Sequence, residues 1–418
     1  MNRIIIKKGS FLYHIVFSIT LAVVIMNLVS VVYPALIVRL VSTEESPVNP
    51  FEIGALALPI IGMNVLVLGI GLLYFFNYLP DTIQKFFRFI HNFEVSRKVA
   101  SIAFVSLLAI FIGISVGKLG VNEIKETLDF FVVSQALKDW PWHPPSDFGT
   151  AIYFQRHVTM FLLTSSLYLF HNVKIIPFIG SISLVTLTYF FTVKLAKKRF
   201  SGLIAMALLI QSFTFRFFDT SATYENFWVL FYMLSLYLIY NKWYLSAFSY
   251  LLSIFSKPYS VPFVVMTIFA VIISDIPRKT KILTIFSYSI ALGIAAFIII
   301  KIEGNVWGSL ARLGPTQFWI GFTIWAYELR FDIILVATIL PLVVGLFIMA
   351  KRGSKEATMV MFLIFGGFFS VPMLTLFSDY TLQPYRFVPL IVFFSMGVAL
   401  LFSKRTSGEA LSESKPLL

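Results

Sequence analysis

The stretch from Leu128 to His157, LDFFVVSQALKDWPWHPPSDFGTAIYFQRH, gathers groups that can hold and move protons. It carries Asp129, Asp139, Asp147, His143 and His157, and Glu123 and Glu126 precede it. Carboxylates grouped beside aromatic side chains are the raw material of a surface active site. A second stretch, RFFDTSATYEN over 216–226, presents Asp219 and Glu225. A third, over 302–331, holds Glu303, Arg312, Glu328 and Arg330, and a fourth, FSDYTLQPYRF over 377–387, ends with Arg386. Lys257 stands in FSKPYS between two apolar runs. An ionisable residue in such surroundings, with no clear route to water, marks a functional position. For any single acid in these stretches, the plainer reading is a solvated loop charge. Hard divalent cations take several oxygen ligands. Asp219 and Glu225 stand apart and no DxD pair occurs in the first loop, so a divalent metal is permitted but not indicated.

Something must hold these groups in place, and the composition says what it is. The chain has 418 residues, 58% of them hydrophobic and only 13% charged, with mean hydropathy +0.88. A soluble domain carries about a quarter charged residues. This chain has more apolar surface than a single core hides, so it requires a bilayer as solvent. Apolar runs lie at 11–37, 53–79, 99–117, 153–170, 175–193, 200–217, 224–240, 243–256, 258–274, 281–301, 332–350, 357–376 and 386–403. A span needs roughly 20 residues and at least about 17, so 243–256 depends on its neighbours. The first run is too long for a cleavable signal peptide and lacks a small-residue cleavage site. With no cysteine, the chain has neither disulfides nor thiolate metal ligands.

Basic clusters lie at Arg3/Lys7/Lys8, Lys85/Arg88/Arg97/Lys98, Lys194–Arg199, Arg278/Lys279/Lys281, Lys351/Arg352/Lys355 and Lys404/Arg405. The excess of basic residues in cytoplasmic loops assigns all of them to one side. The net charge of +13 is then a topology signal and not a nucleic-acid footprint. Both termini are expected in the cytoplasm, and the cell membrane is the default location. Counting from either end gives opposite sides for the segment between residues 118 and 194, so one run there fails to cross. The run 153–170, which opens with Gln155, Arg156 and His157, is expected to be interfacial or re-entrant. That leaves about twelve membrane helices (11–13) in an all-α polytopic fold with a long first external loop.

The order of motifs carries more than the composition. A long span precedes the acidic loop, then come HPP (143–145), a helix and the basic KLAKKRF. FDTSATYENFWVLFYMLSLYLIY, SIFSKPYSVPFVVM and QPYRFVPLIVFFSMGVALLF follow. This ordered set resembles the GT-C superfamily of membrane glycosyltransferases, which includes protein mannosyltransferases using dolichyl-phosphate-mannose and bacterial aminoarabinose transferases. The resemblance covers roughly 99–403. Residues 1–98, with two further spans and a cytoplasmic linker, look like an addition, and 404–418 reads as a polar disordered tail.

The resemblance implies a glycosyltransferase that moves a sugar from a polyprenyl-phosphate donor to a protein, lipid or glycan acceptor on the external face. An acid of the first external loop would be the general base, Asp129 first and Glu123 second. The sequence reads Asn122-Glu123 where the mannosyltransferases often carry an adjacent Asp-Glu pair. His143, Asp219, Glu225, Lys257 and Arg386 are the expected substrate-binding residues, Arg386 because the family often has a basic residue near the donor phosphate. Two prolines stiffen the loop and set where the next helix starts, so His143 reads more readily as a structural group than as an acceptor ligand. Trp140 and Trp142 read as interfacial anchors. No phosphate-binding P-loop, GxGxxG or HExxH occurs. The rival reading is a polytopic transporter or flippase for a lipid-linked or small substrate.

Overall fold

The structure, a computed structural model, describes residues 10–41, 49–122, 129–142, 156–223, 226–301, 314–329, 332–377 and 384–403. Among these every regular element is helical. The first part of the chain forms α1 (Ser10–Val32), α2 (Leu36–Val41), α3 (Ala57–Phe75), α4 (Asp81–Asn92) and α5 (Arg97–Ser115). The middle forms α6 (Asp129–Asp139), α7 (His157–Phe170), α8 (Ile175–Ala196), α9 (Arg199–Gln211), α10 (Phe213–Phe218) and α11 (Asn226–Ile239). Then come α12 (Trp243–Ser256), α13 (Val264–Ile273), α14 (Arg278–Lys301), α15 (Pro315–Leu329), α16 (Ile333–Lys351), α17 (Lys355–Phe377) and α18 (Val388–Leu400).

Seven of these helices, α1, α3, α5, α8, α14, α16 and α17, are long and apolar enough to cross a bilayer. Shorter apolar helices, among them α7, α9, α11 and α18, pack between them. The protein is an all-helical membrane protein. Spanning helices suit it because each backbone N–H and C=O is satisfied within its own segment.

Local chemistry explains the ends of the helices. Ser96 starts α5 by accepting from Val99 N at 3.3 Å, the ordinary role of an N-cap serine. The apolar run 200–217 is not one helix. Ser212 ends α9 and accepts from Phe215 N at 3.1 Å, opening α10. The Asp332 carboxylate reaches across from the head of α16 and accepts from Phe213 N (3.0 Å) and Thr214 N (3.2 Å). The first N–H groups of α10 are thereby capped.

The segment 302–331 is not all loop, because α15 occupies Pro315–Leu329. Gly321 lets α15 lie directly on α17: a Cβ there would stand 2.6 Å from Pro372 Cα. The run 11–37 breaks at Pro34, which leaves α2 as a separate short helix.

The bundle has two distinct ends. At the basic end, α8 turns into α9 through Lys197 and Lys198, and Lys355 pairs with Asp275. At the other end, Asn172 donates to Leu119 O just beyond α5. Thr159, near the start of α7, donates to Ser256 O at the last residue of α12 (2.8 Å). The two ends of α7 therefore meet the C-terminal ends of α5 and α12.

The described residues among 1–98, set apart in the sequence, share the main core. Val16, Val24 and Ile60 belong to one cluster with Val336, Met361 and Phe393. Asn64 makes the tightest link. Its amide donates to Val336 O (2.8 Å) and accepts from Leu340 N (3.2 Å), two backbone groups of the turn ahead of Pro341. A proline inside a helix disturbs that turn, and at membrane depth no water can satisfy the groups it loosens. Replacing Asn64 with Leu is expected to lower stability by about 1–3 kcal/mol, read as an earlier thermal unfolding of the purified protein in detergent.

Candidate functional site

The site grows from a helix stop. Lys257 precedes Pro258, and a residue before proline is driven out of the α region. It is extended, with φ −160° and ψ 116°, and it ends α12. The Lys257 side chain is buried and lies over the ring of Tyr385, its Nζ 4.7 Å from the centroid. Tyr385 and Arg386 sit in the short 3-10 turn Pro384–Phe387 that leads into α18. The Arg386 guanidinium carbon lies 5.9 Å from the same ring. Two cations distant in sequence thus share one aromatic ring, whose quadrupole attracts each of them.

Tyr385 packs edge-on against Phe218 at 5.8 Å, and Phe218 is the last residue of α10. The next residue, Asp219, is fully buried. Its carboxylate accepts from Ser115 at the end of α5, and Lys118 Nζ lies 3.3 Å away. Lys118 also donates to Arg216 O. The Asp219 carbonyl accepts from Ser181 in α8 (2.5 Å), whose hydroxyl in turn accepts from Asn226 in α11 (2.6 Å). Burial pushes the Asp219 carboxyl above its ordinary range, and Ser115 and Lys118 pull it back. The residue therefore faces inward and ties the ends of four helices together.

Lysine 174 completes this layer. It is buried, and its ammonium donates to Lys118 O (3.0 Å) and Val121 O (3.1 Å). Within the first loop, α6 packs Val133 and Ala136 in one cluster with Met160 and Leu163 of α7 and Phe227 of α11. Two residues before Lys257, Phe255 helps to line an apolar groove of about 380 Å³ together with Trp140, His157, Val158, Phe161 and Ile298.

Of the residues singled out in the sequence, Lys257 and Arg386 come together around Tyr385. Asp219 lies on the other side of Phe218, turned toward Ser115 and Lys118. Glu123, His143 and Glu225 lie outside the described residues, as does the side chain of Asp129, whose backbone opens α6. Lys118, Lys174 and Arg216 were not singled out. Lys118 follows a long span directly and Arg216 sits among phenylalanines, but neither signal reveals a partner far away in sequence. Among the described residues no three His, Asp or Glu side chains gather as ligands for a metal.

The arrangement joins a cationic, aromatic-lined end of the bundle to an apolar groove beside it. That combination suits an amphiphile with an anionic head and an apolar tail. Compared with family models, with curated proteins and with solved structures, the chain finds no match.

Removing Lys118 leaves Asp219 buried with Ser115 as its side-chain partner. Lys118→Met is expected to cost about 3 kcal/mol, the lower end for orphaning a buried charge. The sign of its pH dependence follows from the raised folded-state carboxyl. A group held above its unfolded value contributes most at low pH and loses that contribution as pH rises through the folded value. The deficit of Lys118→Met should therefore grow as pH rises above the ordinary carboxylate range in thermal unfolding, while Asp219→Asn shows no such growth.

Proposed function

We propose that this chain is an integral membrane glycosyltransferase that takes a sugar from a polyprenyl-phosphate donor. The observation that supports this reading most is the convergence of Lys257 and Arg386 on Tyr385, with an apolar groove lined by Phe255, two residues before Lys257. A lipid phosphate needs cations at the interface and an apolar path for its tail. Arginine can clamp a phosphate with two parallel hydrogen bonds, and Lys257 supplies a second charge. The ordered resemblance to the GT-C superfamily points the same way.

In this reading Asp129 or Glu123 removes the proton from the acceptor hydroxyl or amine. The acceptor heteroatom attacks the anomeric carbon, the bond from that carbon to the phosphate oxygen breaks, and polyprenyl phosphate leaves with the electron pair. Lys257 and Arg386 stabilise the charge that grows on the leaving phosphate. Asp219 holds Lys118 and the end of α5, and so sets where the first loop begins. In this reading the basic clusters at the opposite end of the bundle face the cytoplasm, and the chemistry takes place on the external face.

The test is transfer from radiolabelled polyprenyl-phosphate sugars in membranes. Loss of a general base is expected to cost about 10²–10⁴-fold, in one of Asp129→Asn and Glu123→Gln but not in both. Lys257→Met and Arg386→Gln should each cost about tenfold or more, the weight of a hydrogen bond to a charged group, with normal insertion. A wild type inactive with every donor tried, but able to move a lipid-linked substrate across vesicles, would replace the transferase with a flippase.

A further inference from the structure

The other end of the bundle carries a second site, which the transferase reading does not use. A cavity of about 620 Å³ opens between the end of α4 and the turn joining α8 to α9. Its polar lining includes His91, Glu94, Lys197, Lys198, Arg199 and Ser403. Lys198 is only 5% exposed although it lies in a turn at the edge of the bundle. Its Nζ donates to His91 O at 2.5 Å and lies 5.6 Å from the Phe200 ring.

Glu94, the acid in this lining, is already engaged. One of its carboxylate oxygens accepts from Arg199 N and from Val95 N, both at 3.1 Å. Burial lowers the pKa of Lys198, and Glu94 restores only part of it. An anion in the cavity would supply what the buried ammonium lacks.

The wall formed by α4 says where such an anion comes from. This helix, DTIQKFFRFIHN, sets Lys85 and Arg88 among exposed Ile83, Phe86 and Phe89. Its end is pinned to α9 by Phe93, edge-on to Phe200 at 5.0 Å. A strongly amphipathic helix with basic and aromatic residues lies along a bilayer surface at headgroup depth. The cavity therefore opens where phospholipid headgroups are, and it is larger than a lone phosphate requires.

We propose that this cavity binds the phosphate headgroup of an anionic phospholipid, held by Lys197, Lys198 and Arg199, with the acyl chains running along α4. The chemistry is phosphate recognition by clustered cations, and the source is the surrounding leaflet.

Native mass spectrometry of the full chain in detergent tests it, with phosphatidylglycerol, phosphatidylcholine and inorganic phosphate as probes. The variant is Lys197→Asn with Arg199→Gln. Lys197 has φ +54°, a left-handed conformation that asparagine tolerates. Wild type should retain phosphatidylglycerol over phosphatidylcholine, and the double variant should retain it about tenfold less well. Lys194→Gln is the control, since Lys194 donates to Asn241 at 3.3 Å and does not line the cavity. Equal retention of the two lipids by wild type would overturn the proposal. So would unchanged phosphatidylglycerol retention in the double variant, or occupancy by inorganic phosphate alone. If the double variant fails to fold, wild type still decides. Its phosphatidylglycerol retention must fall as salt is raised, and retention indifferent to salt would sink the idea.

Discussion

A carboxylate buried without water must be satisfied by its neighbours or lose its charge. Asp219 meets that demand with Ser115 and Lys118, and the geometry of the upper bundle follows from it. The pairing fixes the end of α5 against α10. Through its backbone carbonyl, Asp219 also holds Ser181 of α8, and Asn226 of α11 joins by Ser181. With α10 so held, Phe218 presses on Tyr385, and Tyr385 is the surface on which Lys257 and Arg386 meet. A structural acid thus positions a cationic site it does not itself enter.

The rest of the bundle solves the same problem in smaller steps. Prolines and capping residues interrupt its helices, and three of these interruptions have a polar side chain as partner. Asn64 serves the turn before Pro341, and Asp332 serves the break between α9 and α10. The Tyr250 hydroxyl reaches the carbonyls of Ser260 and Val261, in the 3-10 turn that follows Lys257. In water such groups would be solvated. Between packed helices they must be satisfied by side chains, and these fixed polar contacts give the core a single register. The break at Lys257-Pro258 is the one that places a charge beside an aromatic ring.

The two ends of the bundle carry their cations in different settings. At one, buried Lys257 and half-buried Arg386 lie against the ring of Tyr385. At the other, three consecutive basic residues border a cavity of about 620 Å³ beside an amphipathic helix. Both are consistent with a protein whose ligands carry phosphate and whose solvent is lipid.

Much of the fold was legible in the sequence. The runs 175–193, 243–256, 332–350 and 357–376 lie within a few residues of α8, α12, α16 and α17, because length and hydropathy are local properties that a bilayer reads directly. Lys257 stood out for a similar reason, as a charge flanked by apolar runs and followed by proline. Hydropathy could not show that 200–217 breaks at Ser212, since the break depends on Asp332, far along the chain. Nor could it find α15 in an aromatic segment read as loop, where packing of Gly321 on Pro372 decides. Asp219 looked like a ligand among loop acids until the fold surrounded it. The sequence by itself determined a helical membrane protein and the positions of most of its apolar helices, because burial in lipid depends on composition over short windows. Only the tertiary structure decided which charges face one another, because ion pairs and cation–aromatic contacts depend on distances between residues that the chain order leaves far apart.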